Sequence, residues 1–478
     1  MGDRALLTDF YELTMAAGYF DRGKAGDTAT FDLYFRQNPF HGGYAIAAGL
    51  EFAVRDILET RFEREDTLFL SGMRTSRGTP VFSDGFLRYL REYCFRGSIR
   101  AMPEGSVCFS SEPLVQVTGN LIECQMVESI LLCHVNFQTL VATKAARMWE
   151  ASSRGSIVEF GMRRAHGPDG AVSASRAAYI GGAEATSNVL ASRLFGVPAR
   201  GTQAHSWVQS FPSEMDAFRD YARTFPDDCV LLVDTYDVLE SGLPNAIATG
   251  RELENSGHRL LGIRIDSGDL AFLSQRARER LDQAGLGYVK IIVSNELDEY
   301  LISEIMAEGG RIDVWGIGTK LVTGDGADGA ALGGVYKMVE HNGRPKIKLS
   351  NNPVKTTNPG AKRVMRFYNS QGLMEADAVG AASEELSEAE VLIIDPHNPL
   401  RRKRLGESQR SEMLQTVVTD GRLVSDPPSL EEIRKRRKHQ LDHLHESYKR
   451  LRNPHEYKVG LSLQLWEQKE RLLNPRMA

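Results

Sequence analysis

Between Ile157 and Gly318, short apolar runs alternate with amphipathic stretches. The runs are SIVEFG, VPARGTQAH, CVLLVDTYD, RLLGIRIDSGD, YVKIIVSN and RIDVWGIGTK, starting near residues 156, 197, 229, 259, 288 and 311. Stretches such as DLAFLSQRARERLDQAG and ELDEYLISEIMAEGG fill the intervals with apolar residues at helical spacing. Continuous apolar runs of this kind read as strands buried on both faces of a parallel sheet. Six strand–helix units in series predict right-handed crossovers, and either a barrel or an open doubly wound sheet. The sequence contains no internal repeat, so a solenoid is not indicated.

The flanks read differently. A helix is expected around Asp9 to Tyr19, then a strand over TATFDLYF, Thr28 to Phe35. IRAMPEGSVCFSSEPLVQV alternates as β structure around a Pro-Glu-Gly turn. A long helix is expected over Leu121 to Ala151. After Gly324 the pattern returns to β, with a hairpin around His341-Asn342-Gly343. The tail EEIRKRRKHQLDHLHESYKRL reads as a charged surface helix with an apolar stripe rather than a nucleic-acid arm. The expected division is a mixed α+β segment over 1–150, an α/β barrel over 151–335 and a C-terminal segment over 336–478 that packs with the first.

Composition narrows the class. In 478 residues, 58 Lys and Arg stand against 63 Asp and Glu, a net charge of −5. That balance argues against a dedicated nucleic-acid binder. The five cysteines, at 94, 108, 124, 133 and 229, form no CxxC pair, which favours reduced thiols in a cytoplasmic setting. No signal-peptide pattern opens the chain, and Leu6 fails the myristoylation pattern. No run of about 18 apolar residues occurs, so no membrane span is expected.

Every apolar run of the middle segment ends in polar residues. They are Glu159 to Arg164, Gly201 to Ser206, Asp234 to Asp237, Arg264 to Asp269, Ser294 to Glu296 and Gly316 to Lys320. In a parallel sheet these ends gather at one rim, where sites form. Single ends of this kind serve as helix caps, but six carrying Arg, His, Asp and Gly together point to chemistry. Gly316-Ile317-Gly318-Thr319 is neither a Walker nor a Rossmann motif, yet its backbone N–H groups can cradle a phosphate. His205 has Asp234 as its best-placed acidic partner. Arg264 and Asp266 share one strand face, for an anion and for hydroxyls or a metal-bound group. Phe160 reads as core or as an aromatic stacked on a flat ring. No second His stands at a metal-ligand spacing, and no residue is assigned to a metal.

These ordered motifs resemble the nicotinate phosphoribosyltransferase family. The likeness runs through LLTDFYELTMAAGYF, EFGMRRAHG, GTQAHSWVQSF, LLVDTYDVLESGLPNAI, GIRIDSGDL, VSNELDEY, WGIGTKLVTG, KLSNNPVKTTNPGAKRV and RNPHEYKVGLS, nearly the whole chain. The resemblance implies a type II phosphoribosyltransferase fold, an irregular α/β barrel beside a domain built from both chain ends. It implies nicotinate and phosphoribosyl pyrophosphate as substrates, with Mg²⁺, and ATP hydrolysis coupled through a transient phosphohistidine at His205 oriented by Asp234. It implies a homodimer with shared active sites, in which Phe160 of one subunit and Tyr11 of the other stack on the pyridine ring. Gly316, Ile317, Gly318 and Thr319 then bind the 5′-phosphate. Arg163, Arg164, Thr202, Arg264, Asp266, Ser294 and Asn295 line the substrates, with Arg264 the first choice for the nicotinate carboxylate. Nicotinamide or quinolinate as the base, a non-catalytic phosphate-binding barrel and an interaction protein are the competing readings.

Overall fold

The computed structural model describes residues 4–326, 329–386, 390–406 and 409–474. The chain forms two compact units, one of residues 1–140 with 331–478 and one of residues 141–330.

The first unit is woven from both chain ends. Thr28–Phe35 pairs antiparallel with Val115–Asn120 on one side and with Gly334–His341 on the other. Phe31, Leu33 and Phe35 are buried along one seven-stranded sheet. Asn342 and Gly343 close the hairpin with φ of 49° and 69°, the doubly left-handed turn that suits tight hairpins. A second sheet of six strands holds a fully buried pair. Arg366 Nη2 lies 2.6 Å from Asp377 Oδ2, and the Tyr457 hydroxyl donates to Asp377 Oδ1 at 2.8 Å. Lys362, also buried, lies 2.7 Å from Asp32. The basic tail folds as the helix Leu430–Asp442, capped by Ser429 and Glu432, with Ile433 and Leu441 buried. All five cysteines are free thiols.

The expected long helix begins with a short turn, Leu121–Gln125, and continues as Glu128–Ala151. By length and composition alone this stretch is apolar enough to cross a membrane, contrary to the sequence expectation. Of its most apolar window, 61% is buried inside the protein, which is how a core helix behaves.

The second unit carries the parallel sheet. Its strand order is Ala185–Thr186, Ser156–Glu159, Val314–Ile317, Lys290–Asn295, Gly262–Ile265 and Val230–Leu232. The first strand in sequence pairs with the last, Ile317 opposite Glu159. That is the cyclic order of an α/β barrel, broken at one seam between Ala185–Thr186 and Val230–Leu232, and it decides against the open doubly wound sheet. One expected strand is corrected. VPARGTQAH is not a strand: only Ala199 bridges to Thr186, after which the chain leaves the sheet. Pro198 has no N–H to give a ladder, and Gly201 favours extended strand poorly. Across the seam, Gln203 Nε2 donates to the Val230 carbonyl at 3.4 Å.

A buried ion cluster ties two helices of this unit. Glu299 opens the helix Glu299–Ala307 and is fully buried. Lys144 Nζ lies 2.6 Å from one carboxylate oxygen and Arg147 Nε 3.0 Å from the other. Burial pushes the Glu299 carboxyl up, but Lys144 and Arg147 outweigh it and hold it below the usual carboxylate range. Replacing only the carboxylate leaves two cations buried without it. Glu299→Leu is expected to cost about 3–5 kcal/mol of stability in urea unfolding. The lowered carboxyl contributes fully above about pH 4.3, the ordinary Glu value, and loses that contribution as pH falls through its folded value. The wild type should therefore lose stability more steeply than Glu299→Gln in acid titrations below pH ~4; parallel titrations would contradict this account.

Candidate active site

Arg264 gathers the rim of the parallel sheet. It sits near the C-terminal end of Gly262–Ile265, and its side chain is mostly buried. Nε donates to Ser294 Oγ at 2.8 Å, Nη1 to Thr202 Oγ1 at 3.0 Å and Nη2 to Asp266 Oδ1 at 2.9 Å. The Ser294 hydroxyl also donates to Asp266 Oδ1. A guanidinium has five N–H donors, so one on each terminal nitrogen remains able to bind an anion. The Arg264 guanidinium carbon lies 5.6 Å from the Phe160 ring centroid, within cation–π range.

Phe160 is seated on a glycine. A Cβ at Gly316 would come within 2.7 Å of the Phe160 ring, so any larger residue there displaces the aromatic. The Phe160 amide donates to the Ile317 carbonyl at 2.7 Å. Phe160 is half-buried just past the C-terminal end of its strand, with its ring within reach of both Arg264 and Gly316, which makes it an aromatic of the rim. Arg163 and Arg164 follow in the exposed turn Met162–Arg164. None of the hydrogen bonds found for the described residues joins them to the Arg264 cluster.

His205 and Asp234 do not form the expected pair. His205 Nδ1 lies 3.1 Å from Thr235 Oγ1, and Nε2 lies 4.0 Å from Asp266 Oδ2. Asp234 instead turns toward the next strand end: its Oδ2 accepts from the Asp266 amide at 3.0 Å and from Ser267 Oγ at 2.6 Å. Its other oxygen is buried and has no hydrogen-bond partner among the described residues. The reason is the parallel register. Adjacent strands end side by side, so Asp234 faces the neighbouring loop, whereas His205 reaches the rim from a segment outside the ladder. His205 opens the short helix His205–Gln209 and its side chain is 42% exposed.

The glycine loop closes the rim. Gly316 and Ile317 end the last strand, and Gly318 leads into the single turn Thr319–Val322. The Thr319 hydroxyl donates to Glu296 Oε1 at 3.1 Å, and Lys320 pairs with Asp325. Asn295 ends its strand with φ of 144°, a left-handed value that is strained for a non-glycine residue. Its side-chain oxygen accepts from the Glu296 amide at 2.8 Å. Tyr11 belongs to the first unit, near the start of the helix Phe10–Asp21, and is 43% exposed. Partial burial, then Glu128, raises the pKa of its hydroxyl.

The rim thus combines a guanidinium, two carboxylates, an accessible imidazole, an aromatic and a glycine loop. Sequence reasoning missed Thr235, Ser267 and Glu296. Each stood within the strand-end text, but hydroxyl and carboxylate roles depend on register, which the residue types alone do not supply.

Sequence profiles described as the nicotinate phosphoribosyltransferase N-terminal domain, family and C-terminal domain match residues 6–136, 156–379 and 361–469. A Bacillus subtilis (strain 168) protein named nicotinate phosphoribosyltransferase is 42% identical over 473 residues, covering 97% of this chain and 94% of its own. The Homo sapiens protein of that name is 37% identical over 517 residues, covering 97% and 95%. The crystal structure of human nicotinic acid phosphoribosyltransferase superposes with a TM-score of 0.85 at 34% identity, over 98% of this chain and all of that one. A nicotinate-nucleotide pyrophosphorylase from Pyrococcus furiosus shares the fold, with a TM-score of 0.68 at 22% identity over 92% of this chain and 95% of that one. With a type II phosphoribosyltransferase fold and matched motifs along nearly its full length, this chain belongs to the nicotinate phosphoribosyltransferase family.

Proposed function

We propose that this chain forms nicotinate mononucleotide and pyrophosphate from nicotinate and phosphoribosyl pyrophosphate, coupled to ATP hydrolysis, as a step toward NAD. The observation that carries this reading is the Arg264 cluster, which sets an anion-binding guanidinium against Phe160 beside a glycine loop. The ring nitrogen of nicotinate attacks C1 of the ribosyl group. The C1–O bond to pyrophosphate breaks, and pyrophosphate leaves with the electron pair. Such transfers pass through an oxocarbenium-like state. Phe160 stacks on the pyridine, and that contact strengthens as the ring becomes cationic. The two remaining N–H groups of Arg264 hold the carboxylate, Gly316 to Thr319 cradle the 5′-phosphate, and Arg163 and Arg164 face pyrophosphate.

The coupling is assigned to His205. With the Nδ1 proton donated to the Thr235 hydroxyl, Nε2 keeps its lone pair and attacks the γ-phosphorus of ATP; ADP leaves, and water later hydrolyses the phosphohistidine to release phosphate. Asp266, 4.0 Å from Nε2, is placed to balance the imidazolium charge. Asp234 acts one step back, by holding the Asp266 loop. Among the described residues, no group of three His, Cys, Asp or Glu side chains is placed to hold a metal. Mg²⁺ usually keeps several waters and takes one or two carboxylates plus substrate phosphates. Asp234, with its unpartnered buried oxygen, and Asp266 meet that lighter demand and would hold it. When bound, Mg²⁺ neutralises charge on the departing pyrophosphate.

A homodimer with shared sites completes the reading. Leu7, Phe10, Tyr11 and Met15 are all exposed large apolar residues, a patch suited to a second copy that would receive Tyr11 at its pyridine site. The free cysteines fit a reducing, cytoplasmic setting.

Two measurements test the proposal. With phosphoribosyl pyrophosphate and Mg²⁺, nicotinate should yield its mononucleotide faster or further when ATP is present, and nicotinamide should react poorly. A nicotinamide preference would remove the carboxylate role of Arg264. No turnover with either base, in protein that still binds phosphoribosyl pyrophosphate, would favour a non-catalytic barrel. His205→Ala should abolish ATP hydrolysis and ATP stimulation while keeping uncoupled transfer within about tenfold of wild type. Equal loss of both activities would contradict the phosphohistidine.

A further inference from the structure

Glu159 is a fully buried carboxylate at the end of the Ser156–Glu159 strand, one residue before the aromatic of the rim. Its Oε1 accepts from the Gly161 amide. Its Oε2 accepts from Ser175 Oγ at 2.9 Å and from Thr186 Oγ1 at 2.5 Å. Thr186 belongs to the adjacent strand, and its hydroxyl oxygen also receives the Asn188 amide at 2.9 Å. Ser175 lies on the helix Gly167–Gly181. One side chain thus links a strand end, its neighbour strand and a helix, and closes on the backbone of residue 161.

Phe160 lies between the two ends of that link. The Glu159 side chain fixes the amide after it, and the Ile317 carbonyl fixes its own amide at 2.7 Å. Residue 161 must itself be a glycine, because a Cβ there would meet the Val322 side chain at 2.4 Å. The Arg164 amide then donates to the Gly161 carbonyl at 2.7 Å, so the turn bearing Arg163 and Arg164 starts from the same anchored peptide. A buried carboxylate is costly to keep, and nothing in strand formation asks for one here. A leucine would pack the site but leave the Gly161 N–H without its acceptor.

We infer that Glu159 is a positioning residue for the transfer reaction: it sets the plane of Phe160, and so governs how tightly the pyridine base is held. This rests on the reading of Phe160 as the stacking surface. Glu159 touches no substrate. Its effect falls first on the base and only secondarily on phosphoribosyl pyrophosphate, through the Arg163–Arg164 turn that starts at the same peptide and the glycine loop on the paired strand.

The chemistry of the three donors makes the role separable from simple packing. The Gly161 N–H can only donate, whereas the two hydroxyls can rotate and accept. In Glu159→Gln the amide oxygen keeps Gly161 and the new NH₂ group turns to the hydroxyls. Glu159→Leu has no acceptor for Gly161. The experiment measures kcat and KM for nicotinate and for phosphoribosyl pyrophosphate in both variants, in Thr186→Val and in Phe160→Ala, with thermal melting of each. Glu159→Gln should stay within about threefold of wild type. Glu159→Leu should raise the nicotinate KM about tenfold, as should Phe160→Ala, while the phosphoribosyl pyrophosphate KM rises no more than about threefold in Glu159→Leu and stays within about twofold in Phe160→Ala. If Glu159→Leu does not fold, Thr186→Val, which removes one donor from Oε2, should shift the nicotinate KM the same way by about threefold. Glu159→Leu, or failing it Thr186→Val, with an unchanged nicotinate KM beside a shifted Phe160→Ala overturns the role of Glu159 alone. An equal rise in both KM values, or a fall in kcat only, also overturns it. No shift in Phe160→Ala overturns the stacking reading and this inference with it.

Discussion

Arg264 donates from three nitrogens to three stretches of chain that are far apart in sequence. Ser294 comes from the neighbouring strand, Thr202 from the segment outside the ladder and Asp266 from the loop after its own strand. Two carboxylates, Asp234 and Asp266, stand at adjacent strand ends, and their mutual repulsion disfavours the arrangement unless cations or amides answer it. The guanidinium answers Asp266, and the Asp266 amide with Ser267 answers Asp234. The rim is therefore a set of charges that hold one another in place. The two remaining donors are held in place for an anion because the others are already engaged. That is preorganisation in the physical sense: the groups are ordered before the ligand arrives, so little entropy is lost when it binds.

Steric constraint complements this. The aromatic of the rim occupies the space that a Cβ at Gly316 would need, and the Val322 side chain occupies the corresponding space at Gly161. Buried polar anchors then select one orientation from those that sterics allow. The Glu299 cluster plays the corresponding part deeper in the unit, where it joins the helix Glu128–Ala151 to the helix that follows the Ser294 strand. Both buried carboxylates act by tying elements together, and neither is at the surface of the site.

Much of this was legible in the residues. The parallel strands, the helix Phe10–Asp21, the Thr28–Phe35 strand and the Asn-Gly hairpin follow from periodicity and turn chemistry. Strand ends that carry Arg264, Asp266, Ser294 and Gly316 were readable as a rim because strand polarity fixes where they go. Partnerships were not. The expected His205–Asp234 contact is replaced by His205–Thr235 and Asp234–Ser267, a difference set by lateral register that the residue types do not encode. The strand expected at VPARGTQAH fails because a continuous apolar start is cut short by Pro198, while the two-residue strand Ala185–Thr186 is too brief for any periodicity to register. Glu159 reads as an ordinary acidic strand end until its burial is seen.

The seam of the parallel sheet bears on how the molecule fluctuates. A closed barrel distributes any local opening over two ladders per strand, but the segment bearing Thr202 and His205 leaves the sheet after one bridge at Ala199. Beyond that point it is held by side chains: Thr202 on Arg264, Gln203 on the Val230 carbonyl and His205 on Thr235. Displacing it breaks no backbone ladder, so its excursions belong to the low-energy end of the opening spectrum while the flanking strands stay closed. The imidazole therefore rides on a part of the rim tied to the sheet by side chains alone, so it can move while the ladders that bear the glycine loop and the aromatic stay closed.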